Sequence, residues 1–245
     1  MLKDFIQHIQ DTTLPQIHEM GDKTFAVTSS GEISEIRGTL DAPETLTLSS
    51  LDAMVQMVKT EAIKRENGSP LYITVPTHKE ARCFAQINHG QRETRLTYYV
   101  AKATDVPGWD DSVKLGFEEA QIALRTRFQH TNDADYAMKL LSDISTGAKV
   151  IYNDNGIATT ITTQKGVALQ TNTQIKPLLS LRPYRTFQEV DQPESLFLLR
   201  VNERGISFTE ADGGMWKLKA RETVKDYFCE RLEKEIVGGL VVVAL

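Results

Sequence analysis

Arginine and aromatic residues cluster on predicted strands, and together these residue types can hold a phosphate and stack on a base. The densest cluster is residues 181–187, which contains Arg182, Tyr184 and Arg185. An arginine guanidinium donates paired hydrogen bonds to phosphate oxygens, and an aromatic ring offers its face to a base. We therefore predict that Arg182, Tyr184 and Arg185 contact a ligand directly.

Arg95, Tyr99 and Trp216 form a second set of candidates. Arg95 and Tyr99 lie on one predicted hairpin, and Trp216 follows the tight turn at residues 212–214. We predict that these side chains stack on the ligand or wall its pocket. A structural alternative stays open, in which strand arginines cover the sheet with their stems and pair with nearby acids, while Trp216 packs inside a hairpin. The acids considered for such pairs are Glu93, Glu189 and Glu203.

The sequence carries none of the compact motifs of catalysis. Neither glycine-rich phosphate loop, G-x-x-x-x-G-K or G-x-G-x-x-G, occurs, and the nucleophile motif G-x-S-x-G is also absent. The five histidines are scattered and give no zinc-ligand spacing. We therefore predict no catalytic residue, no metal and no cofactor, and we interpret Asp133 as a helix cap. An enzyme built from carboxylates is the remaining alternative, with Asp110, Asp111, Asp133 and Asp135 as its candidates.

Composition and charge describe an ordinary globular chain. The 245 residues are 40% hydrophobic and 25% charged, which excludes a disordered or fibrous protein. Lys and Arg number 28 against 33 Asp and Glu, so the net charge of -5 is opposite in sign to that of a protein that coats DNA.

Cysteine usage and hydropathy suggest the compartment. Cys83 and Cys229 lie far apart and are interpreted as core residues of a protein in a reducing cytosol. The N-terminal residues lack the continuous apolar stretch of a signal peptide. The longest apolar run, residues 236–245, is half of the roughly 20 residues that span a bilayer. We predict a cytoplasmic protein with no membrane partner.

Hydrophobic periodicity predicts the elements that must position these side chains. Apolar residues spaced three and four apart indicate helices, and alternation bounded by turn residues indicates strands. The predicted helices are residues 2–11, 51–66, 112–128, 131–146 and 222–237. The predicted strands are residues 24–27, 33–40, 71–75, 81–87, 94–102, 149–152, 157–163, 178–187, 196–202, 205–209 and 240–245.

Strands on either side of a central helical pair predict an α+β fold with mostly antiparallel sheet and a C-terminal helix, because short turns join most of the strands. No linker rich in Ser, Gly or Pro divides the chain. We predict one continuous domain, residues 1–245, with a division near residue 147 into two packed lobes as the alternative.

Four segments occur in a recognisable order: residues 37–40 before the helix from Leu51, the helical pair within 117–144, the strand 181–185, and residues 196–208 before a helix rich in acidic and apolar residues. This order resembles that of the YfdQ-like uncharacterised proteins of bacteriophages and prophages. Residues 81–106 depart from it. The resemblance implies a phage or prophage origin and a non-structural protein of the infected bacterial cytoplasm, and it transfers no catalytic residue.

Two binding functions are compatible with this sequence. The first hypothesis is a phage-encoded, non-enzymatic accessory protein that sequesters a nucleotide signal of host defence or engages a host protein. The alternative is an accessory of phage DNA metabolism that binds single-stranded nucleic acid through the same side chains. We also expect a homo-oligomer if residues 240–245 are unpaired within the monomer, since an exposed strand edge needs a partner.

Overall fold

The structure is a computed structural model. Among the residues that it describes, no helix is long and apolar enough to cross a membrane. The described residues are 2–4, 15–21, 23–28, 30–36, 44–64, 69–87, 95–110, 114–145, 149–154, 159–165, 169–202 and 205–245.

The described strands and helices alternate along the chain in groups. They are β1 (Gln16–Met20), β2 (Lys23–Val27), β3 (Ile33–Ile36), β4 (Leu46–Leu48), α1 (Leu51–Lys64), β5 (Leu71–Thr77), β6 (Glu80–Phe84), β7 (Thr97–Lys102), α2 (Phe117–Thr126), β8 (Phe128–Gln129), α3 (Asn132–Ser145), β9 (Lys149–Asp154), β10 (Thr159–Lys165), β11 (Leu169–Gln174), β12 (Leu178–Pro183), β13 (Ser195–Asn202), β14 (Gly205–Glu210), α4 (Trp216–Arg231), α5 (Glu233–Val237) and β15 (Val241–Ala244).

The chain divides into two compact units. The first comprises Met1–Glu44 and Ile87–Thr94, and the second comprises Thr45–Gln86 and Arg95–Leu245. In the first unit, β1, β2 and β3 form an antiparallel sheet in chain order. The predicted helix at residues 2–11 is described only at residues 2–4, which are helical; its remainder lies outside the described residues.

A five-stranded sheet in the second unit has the order β15-β5-β6-β7-β4. Its middle pairs are antiparallel, and both edge strands run parallel to their neighbours. Helices α1 and α4 cover one face, because both present apolar stripes to it. This first core contains Met54 and Val58 of α1, Val224 and Phe228 of α4, and Ile73 of β5.

A four-stranded sheet of order β14-β13-β12-β8 lies in the same unit with the helical pair α2 and α3. In β13, Phe197, Leu199 and Val201 are buried and alternate with exposed or half-buried residues. The buried face of the sheet and the apolar faces of the two helices form the second core. The outward positions of the sheet are therefore available to line a site. A third sheet of the second unit, β11-β10-β9, is antiparallel throughout.

Gly205 begins β14 where the chain segment before α2 passes very close. Leu115 and Ile206 exchange backbone hydrogen bonds of 2.9 Å in both directions. Gly205 has a φ of 130°, and a Cβ at this position would lie 2.2 Å from the carbonyl oxygen of Leu115. This contact requires glycine.

The predicted α+β class is confirmed, with mostly antiparallel sheets, a central helical pair and a C-terminal helix. The prediction of one domain, or of two lobes meeting near residue 147, stays a prediction. Residue 147 itself lies outside the described residues, and the second unit extends to either side of it.

Several predicted boundaries were wrong. Residues 212–216 do not form a hairpin that presents Trp216, because α4 begins at Trp216, six residues before the predicted start. β5 continues through Pro76, at a shift in its register with β6. Helix α1 lies within the helix predicted at residues 51–66: its apolar positions Leu51, Met54 and Val58 are buried, and the Ser50 hydroxyl accepts the N–H of Ala53. The helix predicted at 112–128 is described only as α2, Phe117–Thr126, and Phe128 belongs to β8.

The C-terminal strand pairs within the monomer. Val241 to Ala244 run parallel to Leu71 to Thr74 at the edge of the five-stranded sheet. The condition attached to the expected homo-oligomer, an unpaired tail, is therefore not met, and the homo-oligomer itself stays a prediction.

Candidate functional site

Arg185 is a buried cation held by the fold. It follows the end of β12 and is only 3% exposed. Its guanidinium donates hydrogen bonds to the carboxylate of Glu210 and to the hydroxyl of Ser195. The guanidinium carbon also lies 4.0 Å from the centre of the Trp216 ring. A cation buried in this way is stable only with such partners. Arg185 therefore stabilises the site from inside the fold, and little of its side chain is exposed to a ligand.

The side chain of Gln192 stabilises the turn that contains Arg185. Its side-chain oxygen accepts the backbone N–H groups of Arg185 (2.8 Å) and Thr186 (3.1 Å). Its amide nitrogen donates to the carbonyl oxygen of Phe187 at 2.9 Å. Gln192 is buried, so these bonds satisfy the polar atoms of a turn that water does not reach.

Trp216 is fixed from three sides. Its indole N–H donates to Glu210 at 3.1 Å, Arg185 covers one face, and the His78 ring meets it edge-on with centroids 4.7 Å apart. Burial lowers the pKa of His78 to about 4, and the positive charges of Lys79, Lys217 and Arg185 act in the same direction. His78 is therefore neutral in the folded protein at pH 7.

We expect His78 to make the folded protein lose stability in mild acid. Its folded pKa of about 4 lies below the ordinary value of 6.5, so the unfolded chain takes up the proton first as the pH falls. The stabilisation is present above pH 6.5 and declines towards pH 4. Allowing for the half-exposed ring, its loss between pH 7 and pH 5 is about 1 kcal/mol.

The measurement is urea unfolding of the wild type and of His78→Gln at pH 7 and pH 5. Glutamine does not titrate, so the variant should lose about 1 kcal/mol less than the wild type over this interval. Other acids, including Glu194, are common to both proteins and cancel in the comparison. Equal losses in both proteins would contradict the assignment to His78.

Arg182 lines a polar cleft of about 460 Å³, here called the Arg182 cleft. Its guanidinium donates to one oxygen of Glu194 at 2.9 and 3.2 Å, and the Ser180 hydroxyl also donates to Glu194. These two bonds lower the pKa of Glu194 against the opposing effect of burial. The remaining walls are His130, Thr131, Asn132 and Asp133, at the start of α3.

Asp133 lies at this end of α3 but does not cap it as predicted. The helix is capped by the Thr131 hydroxyl, which accepts the N–H of Ala134 at 3.1 Å. The Asp133 carboxylate instead accepts the backbone N–H of Ser180 at 2.7 Å and the Lys176 ammonium at 2.8 Å. Burial would raise the pKa of Asp133, but these bonds outweigh it and the pKa is lowered. The carboxylate is ionised and already paired.

A second cleft of about 480 Å³, here called the Trp216 cleft, shares Ser180 and Glu194 with the first. Its walls include the exposed apolar side chains of Leu196, Met215 and Leu218. The other walls of the Trp216 cleft are Ser195, Asp212, Trp216, Lys219 and Glu222. The two clefts therefore adjoin: the Arg182 cleft is polar and contains an arginine, and the Trp216 cleft is largely apolar.

The structure separates the six predicted site residues into two groups. Arg182 and Trp216 line adjoining clefts, and Arg185 packs on Trp216. Tyr184 is half-buried. Its backbone N–H donates to the carbonyl oxygen of Arg127, and its own carbonyl oxygen accepts the N–H of Gly108.

Arg95 and Tyr99 lie on the other sheet of this unit. Arg95 is stacked on Tyr72 with 4.6 Å between its guanidinium carbon and the ring centre. Tyr99 is buried in the first core, and this burial, followed by the charge of Glu61, raises its pKa to about 12. As ligand contacts, all six residues stay predictions.

Ser180, Glu194 and Glu210 were not predicted as residues of the site. The predicted acid partners differ from those observed: Glu189 accepts the backbone N–H of Leu51 at 2.8 Å, and Glu93 and Glu203 lie outside the described residues. The available signal was strand alternation, which places Arg182 and Ser180 on one face of β12 and so beside the strand that begins at Ser195.

Comparison of the chain with family models, curated proteins and solved structures gives no match. The resemblance to YfdQ-like proteins therefore stays an expectation. Within the described part of the chain, no three His, Cys, Asp or Glu side chains converge as metal ligands would.

Proposed function

We propose that this protein acts by binding and that the Arg182 and Trp216 clefts together take one nucleotide-sized ligand. The observation that carries the proposal is the junction at Ser180 and Glu194, where a cleft containing an arginine meets a cleft with apolar walls. A nucleotide has the same two parts, a phosphate and a planar base. Each cleft lies within the usual size range of ligand pockets, about 300–1,000 Å³.

Arg182 is the group best placed to take the phosphate. Its side chain is 40% exposed and that of Glu194 is 52% exposed, so their ion pair contributes little, about 0–1 kcal/mol. A phosphate can therefore replace Glu194 as the partner of the guanidinium, while the Ser180 hydroxyl keeps its bond to Glu194. The exposed Asn132 lies in the same cleft, and its side-chain amide is a further donor.

The base would lie against the apolar walls of the Trp216 cleft. Met215 is 65% exposed, and Leu196 and Leu218 are nearly half exposed. Covering these side chains with a base removes apolar surface from water. Trp216 itself would contribute an edge and not a face, since Arg185 covers one face and the residue is 7% exposed.

The biological setting of this proposal rests on the resemblance to YfdQ-like proteins. It makes the protein a phage-encoded, non-enzymatic accessory of the host cytoplasm, and the ligand a nucleotide signal of host defence. A host protein that covers the same clefts is the other partner in this proposal.

The experiment is calorimetric titration with a panel of nucleoside monophosphates, nucleoside triphosphates and cyclic dinucleotides. We expect at least one to bind, and we expect Arg182→Ala to weaken that binding about 10- to 100-fold, as for loss of a charge-assisted hydrogen bond. The matched control is Arg200→Ala. Arg200 is an exposed arginine on the same sheet that lines neither cleft, so its loss should leave the affinity unchanged.

Two results would overturn the proposal. One is a panel in which nothing binds to the wild type. The other is a bound nucleotide whose affinity is the same for Arg182→Ala as for Arg200→Ala, which would place the ligand elsewhere.

A further inference from the structure

The five-stranded sheet has a second face, opposite α1 and α4. Alternation in β5 buries Leu71, Ile73 and Val75 in the first core and turns Tyr72 and Thr74 to the other side. The neighbouring strands follow the same rule. The residues of this surface, here called the open face, are Tyr72, Thr74, Arg82, Phe84, Val100 and Val242.

The open face is accessible to solvent. The Arg82 side chain is 48% exposed, and Val242 at the edge is 44% exposed. Tyr72, Phe84 and Val100 are each half-buried. This pattern differs from that of the opposite face, where Ile73, Cys83 and Ala101 are completely buried.

An aromatic pair lies at one end of the open face, where β6 ends. Tyr72 of β5 and Phe84 of β6 are direct partners in the antiparallel register. Side chains in such positions are neighbours, with Cβ atoms about 4.5–5.5 Å apart. The Arg95 guanidinium lies 4.6 Å from the centre of the Tyr72 ring. The guanidinium thus covers a face of Tyr72, and the Phe84 ring and the exposed guanidinium are the groups on which a base can stack.

The charges on the open face are mainly positive. Arg82 lies two residues from Phe84 on β6, and Lys102, at the end of β7 far from the aromatic pair, is exposed. Arg95 is also exposed. Glu80 is the acid among them and pairs with Arg82. Three cations against one anion make this face complementary to a polyanion, on a protein whose net charge is -5.

We infer that the open face binds single-stranded nucleic acid. Unpaired bases stack on Phe84 and on the guanidinium of Arg95, which lies over Tyr72, and backbone phosphates pair with Arg82, Arg95 and Lys102. A duplex does not fit this chemistry, because its bases are stacked on each other and are not free to meet the rings. This inference is independent of the nucleotide proposed for the two clefts, which uses other residues on the other sheet.

The test is fluorescence anisotropy with labelled 20-mers of deoxythymidine and of uridine at 50 and 200 mM salt. Three phosphate contacts predict a slope of about -2 in log affinity against log salt, or about a 20-fold loss over this range. We expect Arg82→Gln combined with Lys102→Gln to bind at least 10-fold more weakly. The control, Arg125→Gln combined with Lys234→Gln, removes the same charge from exposed helix positions and should bind like the wild type.

A stacking variant separates bases from charge. Phe84→Leu keeps an apolar side chain but removes the ring, and we expect about a 10-fold loss of affinity at both salt concentrations. The circular dichroism of each variant verifies its fold. Arg182→Ala should leave oligonucleotide binding unchanged, so failure of this inference and failure of the cleft proposal are distinguishable.

Three outcomes would overturn the inference. The first is no binding of either 20-mer at 50 mM salt, and the second is binding that the glutamine pair and Phe84→Leu leave at the level of the control. The third is a dimeric mass by light scattering that becomes monomeric in Phe84→Leu, because a second copy of the chain would then occupy the open face.

Discussion

Arg185→Ala should lower the free energy of unfolding by about 3–5 kcal/mol, as expected when one partner of a buried ion pair is removed. The substitution leaves the carboxylate of Glu210, which is 23% exposed, without its guanidinium. It also removes the hydrogen bond to Ser195 and the cation that covers Trp216. All three losses fall on one connected group of side chains, so the effects reinforce one another.

Urea denaturation followed by circular dichroism measures this loss, and Arg182→Ala is the matched control. Arg182 is the same residue type three positions earlier, but its pair with Glu194 is exposed, so we expect a loss below about 1 kcal/mol. Adding Glu210→Gln to Arg185→Ala should restore part of the lost stability, since the orphaned charge disappears. Similar losses for the two arginines would contradict the structural role of Arg185.

Gly205→Ala is the other change that we expect to destabilise the protein strongly, lowering the free energy of unfolding by about 3–4 kcal/mol. Its φ of 130° costs a residue with a Cβ about 1–3 kcal/mol. The new Cβ would also lie 2.2 Å from the Leu115 carbonyl oxygen, which must move away. That movement disturbs the two backbone hydrogen bonds between Leu115 and Ile206, each contributing about 1 kcal/mol.

Gly116→Ala is the control for this prediction. Gly116 follows Leu115 directly but has a φ of -63°, and its new Cβ would lie 3.6 Å from the nearest side-chain atom. We expect a change within about 0.5 kcal/mol in the same urea experiment. If both alanine variants had equal stability, this would contradict the close approach of the Leu115 carbonyl oxygen to Gly205.

Local sequence signals were sufficient for helices that carry their own start signal and apolar stripe. In α1, the Ser50 hydroxyl accepts the N–H of Ala53 at 3.1 Å, and Leu51, Met54 and Val58 are buried as their spacing predicts. Both features are encoded within nine consecutive residues, 50–58. No distant partner is needed to recognise them.

The start of α4 was missed because the sequence carries no such signal there. Met215 precedes the helix and makes no side-chain capping bond, and Gly213 and Gly214 suggest a tight turn between strands. Trp216 is buried by Arg185 and His78, which are distant in sequence. Tertiary contacts therefore decide this boundary.

The sequence was sufficient to predict the residue types of the candidate site, but not which acid pairs with which arginine. Residues 182 and 185 both read as strand arginines, yet β12 ends at Pro183, so one remains at the surface and the other turns inward. Their acid partners, Glu194 and Glu210, come from β13 and β14 or just before them. Which acid meets which arginine depends on strand register, which no single segment of the sequence specifies.

The pairing of β15 with β5 has a consequence for synthesis on the ribosome. Among the described residues, the second core draws on the chain between Trp109 and Phe208, whereas the buried residues of the first core begin at Leu51 and end at Val241. As the chain is made from its N-terminus, β5, β6 and β7 emerge early but lack α4 and their edge strand. The second core has all its segments before those parts exist. The core that starts later in the sequence is thus the first that can be completed.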